Sequence, residues 1–167
     1  MSDPLAALLR HPRLWRGGGS RGPATVPTGF RRLDERLPGG GWPQAALTEI
    51  LLPEAGVGEI RLLLPALRTL AAERPEAPRW IAWLAPPHLP YAPALTAAGL
   101  DSSRMLVVRP QAGFDRLWAM EQALGSGACA AVLGWAETAG DTALRRLALA
   151  AEEGQAPGFL FRPLCHR

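Results

Sequence analysis

Residues 49–62, EILLPEAGVGEIRL, are the place in this sequence where phosphate chemistry would be expected. An apolar run of strand length leads into this segment and a helical pattern follows it, and α/β proteins bind ligands at such junctions. A phosphate-binding loop needs GxxxxGK[ST] there, because glycine N–H groups surround the phosphates, the lysine neutralises charge and the hydroxyl holds Mg²⁺. The segment lacks the lysine and the hydroxyl, and all 18 basic residues of the chain are arginines. The sequence therefore predicts no lysine-dependent chemistry.

No other group of residues has the spacing of a catalytic or metal site. His11, His88 and His166 are scattered, and Cys129 and Cys165 have no CxxC partners. This pattern indicates neither a zinc site nor a disulfide framework. The serines have no histidine or aspartate at triad spacing. We expect no catalytic residue, no metal and no cofactor.

Strands and helices alternate from residue 28 onward. The strand-like segments are continuous apolar runs, which are typical of a parallel sheet buried on both faces and built from right-handed βαβ units. The pattern predicts an α/β domain with a mainly parallel sheet of about five strands. Pro65, inside the first long helical pattern, predicts a kink or a late helix start. The predicted strands are 46–52, 79–85, 104–108, 128–135 and 157–163, and the predicted helices are 57–73, 90–99, 113–127 and 142–154.

The first 27 residues differ in character from the rest. Residues 2–10 predict a short helix with Leu5, Leu8 and Leu9 on one face, and residues 17–27 read as a linker of Gly, Ser and Pro. We therefore divide the chain into an arm, 1–27, and a domain, 28–167.

The positive charge belongs to the N-terminal part of the chain. Residues 1–36 carry seven arginines against three acids, whereas residues 37–167 carry eleven arginines against twelve acids. Such a basic segment suits contact with nucleic acid or with an acidic protein. No apolar stretch approaches the length of a membrane span, and the N-terminus lacks the order of a signal peptide, so we expect a cytoplasmic protein.

The segment from Thr28 to Glu54 resembles the start of the RecA ATPase core. The resemblance implies a RecA-like, P-loop-type domain of three layers, with that family's phosphate loop falling on residues 52–59. This loop is degenerate. The matching features are Thr28-Gly29-x3-Leu33-Asp34, Gly39-Gly40-Gly41-x-Pro43 and Glu49-Ile50-x2-Pro53-Glu54, and the degenerate loop comprises Leu52, Pro53, Glu54, Gly56, Gly58 and Glu59.

The catalytic positions implied by that resemblance are lost. When the segment is aligned without a gap to the RecA phosphate loop, Gly58 falls on the lysine position and Glu59 falls on the position of the hydroxyl residue. If the alignment is shifted by one residue, Glu59 falls on the lysine position. The catalytic glutamate falls on Pro87 and the Walker B aspartate on Gly134. Like charges at contact distance repel by ~1 kcal/mol in water and by more in a drier site. We expect no ATPase activity; a surviving ATPase that uses Arg61 is the open alternative.

Within this superfamily, Ile50 to Pro163 resembles the SulA/ImuA branch, and residues 8–18 and 26–50 resemble ImuA. We therefore expect an ImuA-like, non-enzymatic adaptor of SOS-induced translesion DNA synthesis and mutagenesis. The alternative is a SulA-like SOS cell-division inhibitor that binds FtsZ. The features of the branch are LLLPALRTL (62–70), RWIAWLAP (79–86), LTAAGL (95–100), AVLGW (131–135) and AAEEGQAPGFLFRP (150–163).

The resemblance also implies partners. If the protein is ImuA-like, the expected partners are an ImuB-type Y-family polymerase homologue, RecA and a DnaE-type error-prone polymerase. If it is SulA-like, the expected partner is FtsZ. We expect weak or no direct DNA binding, because the connection at 134–140, which follows the Walker B strand, is short.

Six residues are candidates for partner binding. Arg79 and Arg104 match basic positions of SulA-type contact with FtsZ, although the aromatic position of that contact falls on Ala94. Arg and Trp dominate interface energies, and Trp15 and Trp42 could stack on a base or on a partner side chain. The remaining candidates are Arg31 and Arg32. We place the other tryptophans in the core: Trp80, Trp83, Trp118 and Trp135.

Overall fold

The computed structural model describes residues 24–56, 58–73, 76–77, 79–110 and 113–164. The predicted helix at 2–10, the candidate Trp15 and most of the predicted linker lie outside these residues.

A small antiparallel ribbon begins the described chain. It consists of β1 (Thr25–Val26), α1 (Arg31–Asp34), a 3₁₀ turn (Pro38–Gly40) and β2 (Trp42–Pro43), with β1 paired to β2. The Thr28 N–H donates to Asp34 Oδ1 at 2.9 Å, which ties the turn after β1 to α1. Val26 is only 1% exposed. The ordered fold therefore includes residues that the sequence assigned to the linker.

A five-stranded parallel sheet forms the centre of the fold. Its spatial order is β3-β7-β6-β4-β5, and every neighbouring pair is parallel. The prediction of an α/β fold with five parallel strands is confirmed. The strands are β3 (Leu47–Leu52), β4 (Trp80–Leu84), β5 (Met105–Val108), β6 (Cys129–Trp135) and β7 (Gly158–Pro163).

Helices cover both faces of this sheet. On β4, Ile81 and Trp83 belong to the core shared with α2, whereas Ala82 and Leu84 belong to the core shared with α4 and α5. This alternation gives three layers and explains why the strands are apolar at every position. The helices are α2 (Glu59–Ala72), α3 (Ala92–Ala97), α4 (Gly113–Gly125) and α5 (Asp141–Glu153).

Helix α2 begins at Glu59 and continues through Pro65, so the expected late start is wrong. Pro65 packs closely on Gly29, where a Cβ would lie 2.4 Å from Pro65 Cβ. Gly29 also has a φ of +83°, so a side chain there would be strained as well as crowded. A residue before α1 therefore makes room for the proline ring. Among the described residues, no helix has the length and apolarity that crossing a bilayer would require.

Candidate functional site

The turn between β3 and α2 closes around a carboxylate. Glu59, the first residue of α2, is only 6% exposed. Its Oε1 accepts the Gly56 N–H at 2.9 Å, and its Oε2 accepts the Gly58 N–H at 3.2 Å. The indole Nε1 of Trp135, the last residue of β6, donates to Oε1 at 3.2 Å. The chain's own anion thus holds the N–H groups that a phosphate loop would offer to a ligand.

Electrostatics keep this carboxylate charged. Burial by itself raises the pKa of Glu59, but hydrogen bonds from Gly56, Trp135 and Gly58 outweigh it and hold the pKa below its ordinary value. A phosphate brought to the turn would meet this negative charge. The carboxylate also accepts the N–H groups of Gly56 and Gly58, so these donors are already hydrogen-bonded within the chain.

Two clefts open beside the turn, at the carboxyl ends of the strands. The first, of about 250 Å³, is mainly apolar and includes Trp83, Leu89 and Tyr91 among its lining residues. The ring of Trp83 stacks on Trp135 with centroids 6.1 Å apart, which makes a flat indole wall. The second cleft, of about 390 Å³, adjoins the first at Pro86, Pro87 and Trp135. Nothing in the described part of the chain gathers three or more potential metal ligands.

The residues that the resemblance assigned to a degenerate loop lie between the end of β3 and the start of α2. Leu52 ends β3, Glu54 and Pro87 line the larger cleft, and Gly58 precedes α2 with a φ of +112°. Gly134 does not face this loop, since a Cβ there would lie 2.5 Å from Met120 Sδ on α4. The β6 side chain that reaches the loop is Trp135, which the sequence analysis assigned only to the core.

Arg79 directly precedes Trp80, the first residue of β4, and Arg104 directly precedes β5. The Arg104 guanidinium lies 6.0 Å from the centroid of the Trp80 ring. Arg79 Nη1 donates to the Gln155 carbonyl at 3.2 Å. Trp80 is 38% exposed, so the stacked pair presents an aromatic and basic surface to solvent.

The other partner-binding candidates lie apart from this pair. Arg31 and Arg32 are exposed on α1, where Arg31 Nε pairs with Glu35 Oε1 at 3.0 Å. Trp42 is 5% exposed and meets Phe159 edge to face at 5.7 Å between centroids. Its ring packs in the core and is not placed to stack on a partner.

Of the four remaining tryptophans that the sequence analysis placed in the core, two are buried and two are exposed. Trp83 and Trp135 are buried as expected. The core assignment is wrong for Trp80 and for Trp118, which is 51% exposed. Trp80 precedes a register shift in the pairing of β4 with β6, and Trp118 lies beside the inward-facing positions of α4.

The described chain is thus an α/β protein with a parallel sheet, in which the turn between β3 and α2 is closed by the carboxylate of Glu59. A family model described as "Cell division inhibitor SulA" matches residues 46–158, which is more than half of the chain. The chain therefore belongs to the SulA family.

Individual relatives agree with this assignment. The chain is 35% identical over 103 residues to the cell division inhibitor SulA of Photorhabdus laumondii, covering 62% of this chain and 56% of that protein. It is 33% identical over 118 residues to the SulA of Yersinia enterocolitica, covering 71% and 68% respectively. The crystal structure of SulA from Pseudomonas aeruginosa matches with a TM-score of 0.57 and 32% identity, over 72% of this chain and 99% of that one. The chain thus spans roughly half to two thirds of the length of the curated relatives.

These comparisons overturn the expected identity. The ImuA-like reading is wrong, and with it the role in translesion synthesis and mutagenesis and the ImuB-type, RecA and DnaE-type partners. The comparisons do not support a pseudo-ATPase either. They favour the stated alternative, the division inhibitor.

The error arose from the weight given to the N-terminal blocks. Residues 8–18 lie outside the described structure, and residues 26–50 form the ribbon, its turns and the start of β3. Their glycine motif has a packing role, since a Cβ on Gly41 would lie 2.3 Å from the Val26 carbonyl oxygen. A glycine that is required by a backbone contact within the fold, such as Gly41, carries little information about which partner the protein binds.

Proposed function

We propose that this protein is a cell-division inhibitor of the SOS response that acts in the cytoplasm by binding FtsZ. The observation that carries the proposal is the match of the SulA family to the α/β body, residues 46–158. FtsZ is the partner that the resemblance of the sequence implies for this class of inhibitor. Inhibition by binding needs no catalytic site, which agrees with a turn already occupied by Glu59.

One surface has the composition of a binding site. The edge surface comprises Trp80, Arg104, Leu106 and Val107. β5 is the last strand of the sheet, and Leu106 and Val107 on it are 46% and 36% exposed. Trp and Arg are the residue types that carry most interface energy, and an open edge strand offers unpaired backbone groups. We propose that FtsZ contacts the edge surface.

Sedimentation of FtsZ polymers in the presence of GTP tests this proposal. The wild-type chain should reduce the pelleted polymer in proportion to its concentration. Trp80→Ala and Arg104→Glu should weaken that inhibition by about 30-fold, which corresponds to the loss of one interface hot spot. The matched control is Arg145→Glu, an equal charge change at an exposed position of α5, which packs against β3 and β7 at the other edge of the sheet.

Two outcomes would contradict the proposal. If a molar excess of wild-type chain left FtsZ assembly unchanged, the inhibitor function would be wrong. If Arg104→Glu and Arg145→Glu weakened inhibition equally, the function would stand but the edge surface would not be the contact. Circular dichroism of each variant checks that the fold is intact.

We further propose that the scaffold is RecA-like and works without nucleotide. Support comes from the position of the turn at 52–59, between a strand and the helix that follows it, and from the hydrogen bonds that Glu59 takes from Gly56 and Gly58. Titration calorimetry with MgATP and MgGTP should show no binding at millimolar nucleotide. Saturable binding in the micromolar range would refute this part of the proposal and leave the FtsZ experiment unaffected.

A further inference from the structure

Two neighbouring strands send the chain to opposite faces of the sheet. After β4, helix α3 packs on the face that carries α2, since its Leu95 shares a core with Trp83. After β6, helix α5 packs on the other face, where its Leu147 shares a core with Leu84. β4 and β6 are paired in the sheet. Such a divergence opens a crevice at the carboxyl ends of the two strands, which is where open α/β sheets bind ligands.

The crevice consists of the two clefts beside the turn. The apolar cleft, of about 250 Å³, has Trp83 and Tyr91 in its lining. The charged cleft, of about 390 Å³, has Glu54, Arg116 and Glu137 in its lining. The two clefts meet where β4 and β6 end. A concave site that combines an apolar lining with a few polar groups is typical of small-molecule binding.

The charged cleft holds charges that the protein does not pair. Within the residues that the structure describes, the side chains of Glu54, Arg116 and Glu137 make no hydrogen bond or ion pair. The other arginine of this cleft, Arg162, pairs with Glu49. The Nε of Arg116 is buried, so a ligand would meet the terminal Nη groups of its guanidinium. Because a partly buried charge without a partner is costly, a ligand that carries both a carboxylate and an ammonium group would relieve both signs at once.

The backbone that lines the charged cleft is strained. Ala85, which follows β4, has a φ of +52°, a region that residues with a Cβ rarely adopt. Its N–H donates to the Val108 carbonyl at 2.8 Å, which holds this conformation against β5. Strained residues of this kind cluster at functional sites. The strain and the unpaired charges lie in the same cleft.

We propose that the two clefts together bind a free α-amino acid with a large apolar side chain. The ligand's carboxylate pairs with Arg116 and its ammonium group pairs with Glu137, while its side chain enters the apolar cleft. Arg116 and Glu137 line the same cleft without pairing with each other, as a ligand that bridges them requires. A phosphate or a dicarboxylate fits less well, because Glu54, Glu59 and Glu137 would repel its second negative charge.

Titration calorimetry of the full-length chain with L-phenylalanine as the probe tests the proposal. We expect saturable binding with a Kd below about 1 mM. N-acetyl-L-phenylalanine lacks the ammonium charge and L-phenylalaninamide lacks the carboxylate. Each should bind at least about tenfold more weakly, because each loses one charged pair. Glycine, which lacks the apolar side chain, should not bind.

Two variants assign the charged contacts. Arg116→Gln should weaken L-phenylalanine binding at least about tenfold and leave the affinity for L-phenylalaninamide unchanged. Glu137→Gln should weaken L-phenylalanine binding to a similar extent and leave the affinity for N-acetyl-L-phenylalanine unchanged. The matched control is Arg145→Gln, which removes a positive charge at an exposed position of α5 and should leave all affinities unchanged. A merely structural role of Arg116 would weaken every ligand equally.

Four outcomes would overturn the proposal. The first is the absence of saturable binding at about 10 mM L-phenylalanine. The second is equal affinity for L-phenylalanine and its two capped forms, since the clefts would then read only the apolar side chain. The third is tighter binding of N-acetyl-L-phenylalanine than of the free amino acid, which would favour a peptide segment as the occupant. The fourth is an unchanged affinity in both Arg116→Gln and Glu137→Gln. No measurement involves FtsZ, so the result is independent of the proposed function.

Discussion

Replacing Glu59 with glutamine tests whether the turn between β3 and α2 is held by an internal anion. The carboxylate accepts hydrogen bonds from Gly56, Gly58 and Trp135. Hydrogen bonds to a charged group contribute about 1.5–3 kcal/mol each, and glutamine keeps one acceptor oxygen. We expect Glu59→Gln to lower the free energy of unfolding at neutral pH by about 2–3 kcal/mol, and the melting temperature by about 5–10 °C.

The matched control lies on the same turn. Glu54 is exposed, and the hydrogen bonds described for the turn are accepted by Glu59, so Glu54→Gln removes an identical charge without removing those bonds. It should change the free energy of unfolding by less than about 0.5 kcal/mol. Urea unfolding followed by tryptophan fluorescence gives both values, and similar m-values would show that the denatured states are comparable.

The pH dependence supplies an independent check. The pKa of Glu59 in the folded chain lies below its model-peptide value of 4.5, so the unfolded state binds the proton more readily. The stability difference between wild type and Glu59→Gln should be constant at pH values well above 4.5. It should shrink as the pH falls from there through the folded-state pKa, where the wild type loses the charge.

Two results would refute this reasoning. The first is a Glu59→Gln variant as stable as wild type at neutral pH, since the hydrogen bonds would then contribute nothing. The second is a stability difference that grows as the pH falls below 4.5, because that would require the folded-state pKa to be raised.

Two further predictions concern packing. A Cβ on Gly154, just after α5, would lie 1.8 Å from the Leu124 carbonyl oxygen, whereas a Cβ on Gly140, just before α5, would meet nothing within 4 Å. Gly154→Ala should therefore destabilise the fold by about 1–3 kcal/mol or prevent folding, and Gly140→Ala should shift stability by less than about 1 kcal/mol, as urea titration will measure. Burial raises the pKa of the Cys129 thiol, so DTNB at pH 8 should label it only after unfolding when the other cysteine is replaced by serine; rapid labelling of the folded chain would contradict its burial.

Local pattern was sufficient for the class of fold and for the strands and helices from β3 onward, but it did not predict the ribbon of β1 and β2. The segment 128–135 is apolar at every position, and β6 occupies 129–135 with every residue buried. A strand of this kind needs helices on both faces, and the alternating helical segments supply them. The helix predicted at 57–73 is α2, Glu59–Ala72, so the pattern located this helix to within two residues at its start.

Pattern was not sufficient for the family or for the exposed aromatics. The choice of ImuA rested on N-terminal blocks, and one glycine of these blocks, Gly41, serves a contact within the fold, as its approach to Val26 shows. Trp80 and Trp118 have the residue type and spacing of core positions, and yet both face solvent. Burial of a single side chain depends on what the neighbouring elements cover, which periodicity within one element does not specify.

The sequence by itself determined that a carboxylate would stand in the turn at the end of β3, since that requires only a strand, a turn and a helix in order. What that carboxylate does was decided by the tertiary structure. Trp135 is 76 residues away from Glu59 in the chain, and only the placement of β6 between β7 and β4 brings its indole N–H to the turn. The physical reason is that a hydrogen bond depends on distance in space, and the order of strands in a sheet, rather than their order along the chain, sets that distance.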